Sequence, residues 1–149
     1  MFSVQQFCSF SINESLFGID IKDVKEIKYD YMMTEIPHSP PSINGIVNVR
    51  GQIYIILNMR LLLNFENKKN KNSLLILLKP HLNVDPFGIE IDNHTGVLKV
   101  NNNDIEYHTQ DELSQTDINK IEIVKGVCRL PNKLMTILDS HKLLDAIKW

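Results

Sequence analysis

Alternating apolar and polar residues dominate the start of the chain. Residues 8–12 (CSFSI) change character at every position, which is the two-residue period of a half-buried β-strand. Residues 13–15 (NES) are typical of a turn, and residues 16–21 (LFGIDI) then alternate again. Together the three segments predict a β-hairpin.

A second hairpin is predicted further along the chain. Residues 46–49 and 53–57 are apolar runs of strand length on either side of Arg50 and Gly51, and glycine favours the positive φ angle that a tight turn needs. Asn58 follows, and its side chain can accept a hydrogen bond from a free amide at the start of a short apolar helix. We therefore expect strand, turn, strand and helix in this order.

Both patterns occur a second time. Residues 17–21 (FGIDI) return as residues 87–91 (FGIEI), 70 positions later, and residues 45–63 return without a gap as residues 126–144, 81 positions later. The helix-capping residue of the second copy is Asp139. Two matches in the same order indicate two similar small β units.

The repeat and the polar linker at residues 66–73 (ENKKNKNS) predict how the chain is divided. Residues 1–149 have the length of one domain, within which we expect subdomain one at about residues 14–68 and subdomain two at about residues 73–138, with terminal segments crossing between them. The second unit should have a longer middle loop, at residues 101–119.

Small units with many short strands usually close into barrels, and each alone buries only part of its surface. The two units should therefore pack together and leave a groove.

Composition excludes several classes of protein. With 43% hydrophobic and 23% charged residues, the chain is not intrinsically disordered. The net charge of -2 gives no general reason to bind nucleic acid, and the cluster Lys68, Lys69 and Lys71 has no interleaved aromatic residue, which favours a solvated loop.

No apolar run approaches the ~18 residues that cross a bilayer, and the first residues lack the features of a signal peptide. We expect a cytoplasmic protein with no direct membrane insertion.

Motifs for catalysis and metal binding are missing from the sequence. It has no phosphate-binding loop and no zinc-protease, serine-hydrolase or EF-hand motif, and its five histidines lack metal-ligand spacing. Cys8 and Cys128 are predicted to be buried thiols. We expect that the protein is not an enzyme and that it binds neither a cofactor nor a metal ion. The alternative is an acid–base pair of Asp92 and His94, which stand two residues apart at the end of a predicted strand.

Arginine is the more informative residue type. The chain has three arginines, Arg50, Arg60 and Arg129, and all lie in the repeated segments. Arg50 is at the tip of a predicted hairpin, where its side chain has no cross-strand partner inside the turn. It is either an ordinary surface group or a binding anchor, since arginine is enriched at binding hot spots.

These segments resemble a known family, the chemotaxis coupling proteins of the CheW type. The likeness runs from about residue 7 to residue 144. In the first half it is carried by residues 17–21 (FGIDI), 24–27 (VKEI) and 45–51 (GIVNVRG), and in the second half by residues 87–92 (FGIEID), 126–127 (GV) and 137–139 (ILD). It implies a mainly β fold of two similar small five-stranded β-barrel subdomains with short helices, including a C-terminal helix. It also implies a non-catalytic adaptor that couples transmembrane chemoreceptors to the histidine kinase CheA. The cytoplasmic helical tip of the receptor would lie in the groove, and the regulatory domain of the kinase would meet a second surface.

The resemblance assigns individual residues as well. Arg50 corresponds to the family's turn arginine, which is associated with receptor binding, and Val24 and Glu26 correspond to neighbouring residues at the groove. Gly45 and Gly51 correspond to positions that set the shape of the site.

Two residues depart from the family pattern. Asn58 replaces the usual aspartate and should still cap the helix. His94 stands where the family has an apolar residue in the second half, so the resemblance does not decide how this position packs or whether it contacts a partner. Two other functions also remain open: a CheW-like adaptor of another sensory or surface-motility array, and, in a different class, a small β-barrel that binds nucleic acid.

Overall fold

The described part of the chain is built mainly from β-strands. The computed structural model describes residues 3–66, 72–80, 84–107 and 122–147, and within them the chain forms eleven strands. They are β1 (Val4–Ile12), β2 (Ser15–Asp20), β3 (Val24–Lys28), β4 (Ile43–Val49), β5 (Gln52–Leu57), β6 (Leu74–Leu78), β7 (Phe87–Ile91), β8 (Asn93–Asn101), β9 (Ile105–Tyr107), β10 (Val124–Leu130) and β11 (Lys133–Leu138). The two hairpins predicted from alternation are β1–β2 and β4–β5.

Short helices follow the second strand of each repeated hairpin. Helix α1 (Met59–Leu62) begins after Asn58, whose side chain accepts a hydrogen bond from the Leu61 amide at 3.3 Å. Helix α2 (Ser140–Leu143) begins after Asp139, which accepts one from the His141 amide at 3.0 Å. Both predicted caps are confirmed. Single 3-10 turns lie at Ile21–Asp23, Asn102–Asp104 and Leu144–Ala146.

The strands form two sheets whose membership does not follow the linker. The six-stranded sheet has the order β8-β1-β2-β11-β10-β9, and the five-stranded sheet has the order β3-β6-β7-β5-β4. The β1–β2 hairpin from the first half of the chain therefore joins strands of the second half, and the β6–β7 hairpin joins strands of the first half. Each exchanged hairpin is paired on both sides. One side is a parallel pair, β2 with β11 and β7 with β5, and the other is an antiparallel pair, β1 with β8 and β6 with β3.

The sequence repeat is also a repeat of backbone pairing. Gly18 lies opposite Ile137 in the six-stranded sheet, and Gly88 lies opposite Ile56 in the five-stranded sheet. Gly18 and Gly88 are equivalent in the repeat, and so are Ile56 and Ile137. The two copies of the sequence therefore build the same junction twice.

Among the described residues, buried apolar side chains form three clusters. The largest lies between the sheets, because its members come from strands of both, such as Phe10 and Ile19 from one sheet and Ile76 and Ile89 from the other. Each sheet also has a smaller cluster of its own: Phe7, Val100, Ile105, Cys128, Met135 and Ile137 in the six-stranded sheet, and Val47, Val49, Tyr54, Ile56, Leu75 and Leu77 in the five-stranded sheet. The central cluster holds the two sheets together.

The prediction of a mainly β fold with two similar small β subdomains and a short C-terminal helix is confirmed. The predicted five-stranded units are a six-stranded and a five-stranded sheet in the structure. The boundaries at about residues 14–68 and 73–138 stay a prediction. No helix within the described ranges is long and apolar enough to span a membrane.

The predicted middle loop at residues 101–119 is wrong in its first part. Asn101 ends β8, and Ile105–Tyr107 forms β9, because these residues pair with β10 and extend the sheet. Residues 108–119 lie outside the described part of the chain. So do residues 67–71 of the predicted linker, with its lysine cluster.

Candidate functional site

The turn between β4 and β5 consists of Arg50 and Gly51, since Val49 lies opposite Gln52. Both turn residues have positive φ angles, +50° and +86°, as a type I′ turn requires. The Gly51 amide donates a hydrogen bond to Asn48 Oδ1 at 2.9 Å. The turn projects the Arg50 side chain from the hairpin tip, where 65% of it is exposed.

Glu26 of β3 is the partner of Arg50. The guanidinium donates a hydrogen bond to the carboxylate and forms an ion pair with it. This bond is the main reason that the pKa of Glu26 lies below its ordinary value; partial burial opposes the shift, and the charges of Arg50, Lys28 and Lys25 add to it. Glu26 in turn raises the pKa of Arg50. Both groups are therefore charged at neutral pH.

Val24 lies two residues before Glu26 on the same strand. Its side chain is half-buried and packs against the central core, and its amide closes the 3-10 turn by donating to the Ile21 carbonyl. Of the three residues predicted to meet the receptor, the structure thus brings Glu26 and Arg50 into contact and places Val24 at the edge of the core.

Gly45 allows a close approach of two backbones. A Cβ atom at this position would lie 2.5 Å from the Thr34 carbonyl oxygen. Thr34 and Ile46 exchange two backbone hydrogen bonds of 2.9 and 2.8 Å, so the segment around Thr34 covers the edge of β4. At the equivalent Gly126 a Cβ atom would lie 2.5 Å from the carbonyl oxygen of Glu106 in β9. The role of Gly45 in shaping the site remains a prediction, and this contact supplies a physical reason for it.

Sequence reasoning missed a second contact between β3 and the β4–β5 hairpin. The Lys25 ammonium donates a hydrogen bond to the Tyr54 hydroxyl at 3.0 Å. Tyr54 is an ordinary member of the apolar strand pattern and Lys25 is one of many lysines, so no signal in the sequence connects them.

The alternative acid–base pair does not assemble. Asp92 instead accepts hydrogen bonds from the Arg60 guanidinium and from the Asn13 backbone amide, the latter at 2.8 Å. The Nε2 atom of His94 is buried and has no hydrogen-bond partner in the described structure. Asp92 therefore has a structural role as the partner of Arg60. The sequence did not predict this role for either residue.

The two cysteines are buried free thiols, as predicted. Burial raises the pKa of Cys8 to about 11 and also raises that of Cys128, so both are protonated at neutral pH and are poor nucleophiles. Within the described residues, no three His, Cys, Asp or Glu side chains are grouped closely enough to hold a metal ion. The Arg50–Glu26 pair offers hydrogen-bond donors and charge for binding, and neither side chain is suited to covalent chemistry.

Comparison with known proteins gives a consistent result. The family model for the CheW-like domain matches residues 6–148. The chemotaxis protein CheW of Treponema pallidum (strain Nichols) is 31% identical over 146 residues, which cover 95% of this chain and 82% of that protein. CheW of Bacillus subtilis (strain 168) is 26% identical over 136 residues, covering 91% of this chain and 84% of that protein.

A solved structure has the same fold. The scaffolding protein TtCheW from Thermoanaerobacter tengcongensis superposes with a TM-score of 0.81 at 27% identity, covering 95% of this chain and 92% of that one. With a family model that spans nearly the whole sequence, the chain belongs to the CheW-like domain family, the non-catalytic adaptors that couple chemoreceptors to the kinase CheA in chemotaxis.

Proposed function

We propose that this chain binds the cytoplasmic helical tip of a chemoreceptor at the rim formed by Arg50, Glu26 and Val24, and the regulatory domain of CheA at a second surface. The observation that carries the proposal is the exposed Arg50–Glu26 pair at the tip of the β4–β5 hairpin. An adaptor of this kind needs a fixed and accessible anchor more than it needs a reactive group.

The pairing with Glu26 prepares Arg50 for binding. A guanidinium has five N–H donors, and the Glu26 carboxylate occupies the outer nitrogen Nη2. The remaining donors are available to carbonyl, carboxylate or hydroxyl oxygens on a receptor helix. Because Glu26 already restricts the rotation of the arginine, less side-chain entropy is lost when the receptor binds.

Apolar contact would supply the rest of the receptor affinity. A helix bound in a groove presents apolar residues at helical spacing, and the segment that follows β3 exposes Tyr29 and Met32 by 64% and 88%. These side chains and the half-buried Val24 are the apolar groups on or just after the strand that carries Glu26, and in this proposal they contact the receptor helix.

The adaptor would act through geometry. Binding a receptor and a kinase at once raises the effective concentration of each for the other, so modest contacts give strong recruitment. Control of the kinase requires that the assembled complex favours one kinase conformation over another. In this proposal the receptors bring the chain to the membrane-associated array, without membrane insertion by the chain itself.

Charge reversal at Arg50 tests the receptor site. In Arg50→Glu the new carboxylate faces Glu26 and removes every donor, so we expect capture of a receptor cytoplasmic fragment in a pull-down to fall at least ~10-fold. Arg129→Glu is the matched control, because Arg129 is similarly exposed and pairs with an exposed glutamate, Glu106, at 3.2 Å. Receptor capture by Arg50→Glu equal to that by the control would refute the receptor site.

The two alternatives call for different measurements. Pull-downs with receptors from each sensory array of the cell distinguish a chemotaxis adaptor from one that serves surface motility. For the nucleic-acid alternative, only Tyr29 and Tyr107 of the four tyrosines are highly exposed, and they adjoin different sheets, so the tyrosines of the described residues form no aromatic stacking platform. We expect no retention of RNA or DNA in a filter-binding assay at low salt.

A further inference from the structure

Strand β3 contains one residue more than its neighbour β6 over the same length. Val24 lies opposite Leu78 and Glu26 lies opposite Leu77, which leaves Lys25 without a partner residue. Adjacent side chains of a regular strand point to opposite faces, whereas a β-bulge re-aims them. The bulge accounts for an otherwise unexpected fact: the consecutive residues Lys25 and Glu26 both contact the β4–β5 hairpin.

The Lys25 contact is directed to a fixed point. Its ammonium is 3.0 Å from the Tyr54 hydroxyl oxygen and 5.7 Å from the ring centroid, so it binds the hydroxyl at the ring edge rather than the ring face. The Tyr54 ring is 1% exposed and packs in the core of the five-stranded sheet with Val47, Ile56 and Leu77. A hydroxyl on a ring held in this way has little freedom to move.

The direct contacts between β3 and the hairpin are made by side chains. In the five-stranded sheet β3 is at one end of the strand order and β4–β5 is at the other, so no ladder of backbone hydrogen bonds joins them. Lys25 is adjacent to Glu26 in sequence, and its charge, like that of Lys28, acts on the Glu26 carboxylate. When Tyr54 binds the Lys25 ammonium, the carboxylate is left for Arg50.

The equivalent position in the other sheet shows that the fold does not require this link. There β8 has its bulge at Thr95, between Gly96 and His94, and Thr95 donates to the Ser9 hydroxyl of the adjacent strand at 2.7 Å. Met135, which has no hydroxyl, stands where Tyr54 stands. Lys25 and Tyr54 are therefore a feature of the Arg50 side of the molecule alone.

We propose that Lys25 and Tyr54 are a positioning pair, which holds β3 against the hairpin and keeps Glu26 bound to Arg50 in the orientation that a receptor helix meets. The proposal rests on the receptor site proposed above. It assigns to these two residues an effect on receptor affinity that acts through Arg50, without direct contact with the receptor.

Four variants of the full chain test the pair, with Thr95→Val as the control at the equivalent bulge. Tyr54→Phe keeps the ring and the lysine charge and removes only the hydroxyl, and Lys25→Met removes the donor. We expect each to weaken binding of a receptor cytoplasmic fragment about five-fold, the equivalent of one hydrogen bond. The double variant should lose no more than either single variant, because both remove the same link. Lys25→Arg should bind as the wild type does, since arginine can also donate to the hydroxyl.

A second readout needs no receptor. The Arg50 Nε–H signal in an NMR spectrum, identified by its loss in Arg50→Lys, should shift in Tyr54→Phe and Lys25→Met and stay in place in Thr95→Val and Lys25→Arg. An unmoved Arg50 signal in Tyr54→Phe would overturn the positioning pair, whatever the receptor affinity of that variant. Additive losses of receptor affinity in the double variant would overturn it as well. If the signal moves as expected but receptor capture does not respond to Arg50→Glu, then the receptor site is wrong and the affinity effect assigned to this pair is withdrawn with it.

Discussion

Arg50 adopts a backbone conformation that its residue type disfavours. Its φ of +50° lies in the left-handed region, where the Cβ atom of any residue other than glycine meets the backbone. In the equivalent two-residue turn of the six-stranded sheet the corresponding residue is Pro131, whose ring fixes a negative φ. The fold can therefore close this hairpin without an arginine and without positive φ. Strain that the fold does not need is typical of a functional position, and it supports the receptor-binding role that we propose for Arg50.

The two glycines of the site should differ in what they contribute to stability. Gly45→Ala places a Cβ 2.5 Å from the Thr34 carbonyl oxygen, whereas a Cβ at Gly51 meets no atom within 4 Å. We expect a loss of about 3 kcal/mol in the free energy of unfolding for Gly45→Ala and about 1 kcal/mol for Gly51→Ala, which carries only the backbone strain of its positive φ. Urea unfolding followed by circular dichroism measures both. Equal losses would mean that the approach to Thr34 is not tight.

Part of the candidate site could be predicted from the sequence. The position of Arg50 in an exposed turn follows from the apolar runs on either side of it, and Gly51 follows from the turn itself. The Glu26 contact could not be predicted from the pattern, because 24 residues separate it from Arg50 and their strands are not neighbours in the sheet. Lys25 and Tyr54 depend on a bulge, which leaves no mark in the alternation of residues.

At the scale of elements, each helix is tied to the point where the chain crosses between sheets. Arg60 of α1 binds Asp92, which connects β7 of the five-stranded sheet to β8 of the six-stranded sheet and also accepts the Asn13 amide from the β1–β2 turn. In the other copy, Ser140 of α2 donates to Asp23, between β2 and β3, at 2.8 Å. The two crossovers are thus fixed in the same way by different side chains.

Breaking the Arg60–Asp92 pair should destabilise the protein strongly. Both side chains are only 14% exposed, and removal of one partner leaves the other charge buried and unpaired. For Arg60→Met we expect a loss of about 3 kcal/mol in the free energy of unfolding, of which the double variant with Asp92→Asn recovers a part. The control is Arg129→Met, whose ion pair is 70% and 72% exposed and should contribute no more than about 0.5 kcal/mol. Similar losses in the free energy of unfolding for Arg60→Met and the control, measured by urea unfolding, would show that the crossover ion pair stabilises the protein no more than an exposed ion pair does.

At the scale of the whole molecule, local pattern predicted the elements and could not predict their partners. Alternation in residues 17–21 and 87–91 shows that these segments are strands with a buried face, and their likeness shows a repeat. The same alternation would be satisfied if each strand paired within its own half. Long-range pairing places β2 beside β11 and β7 beside β5. The sequence predicts that terminal segments cross between the subdomains, but which hairpins are exchanged could not be derived from the alternation.

The exchange has a consequence for how the molecule folds. A fragment that ends at residue 66 retains β1–β2 without its partner strands β8 and β11, and a fragment that begins at residue 72 retains β6–β7 without its partner strands β3 and β5. Each fragment would also expose its share of the central core. We expect that a protease site inserted between residues 66 and 72 can be cut without separating the halves, so that they elute together on size-exclusion chromatography. Each half purified alone in denaturant should stay unfolded by circular dichroism after dilution, and mixing the two should restore the native spectrum. A half that unfolds cooperatively by itself would show that the subdomains are independent, and that the exchanged hairpins are not what joins them.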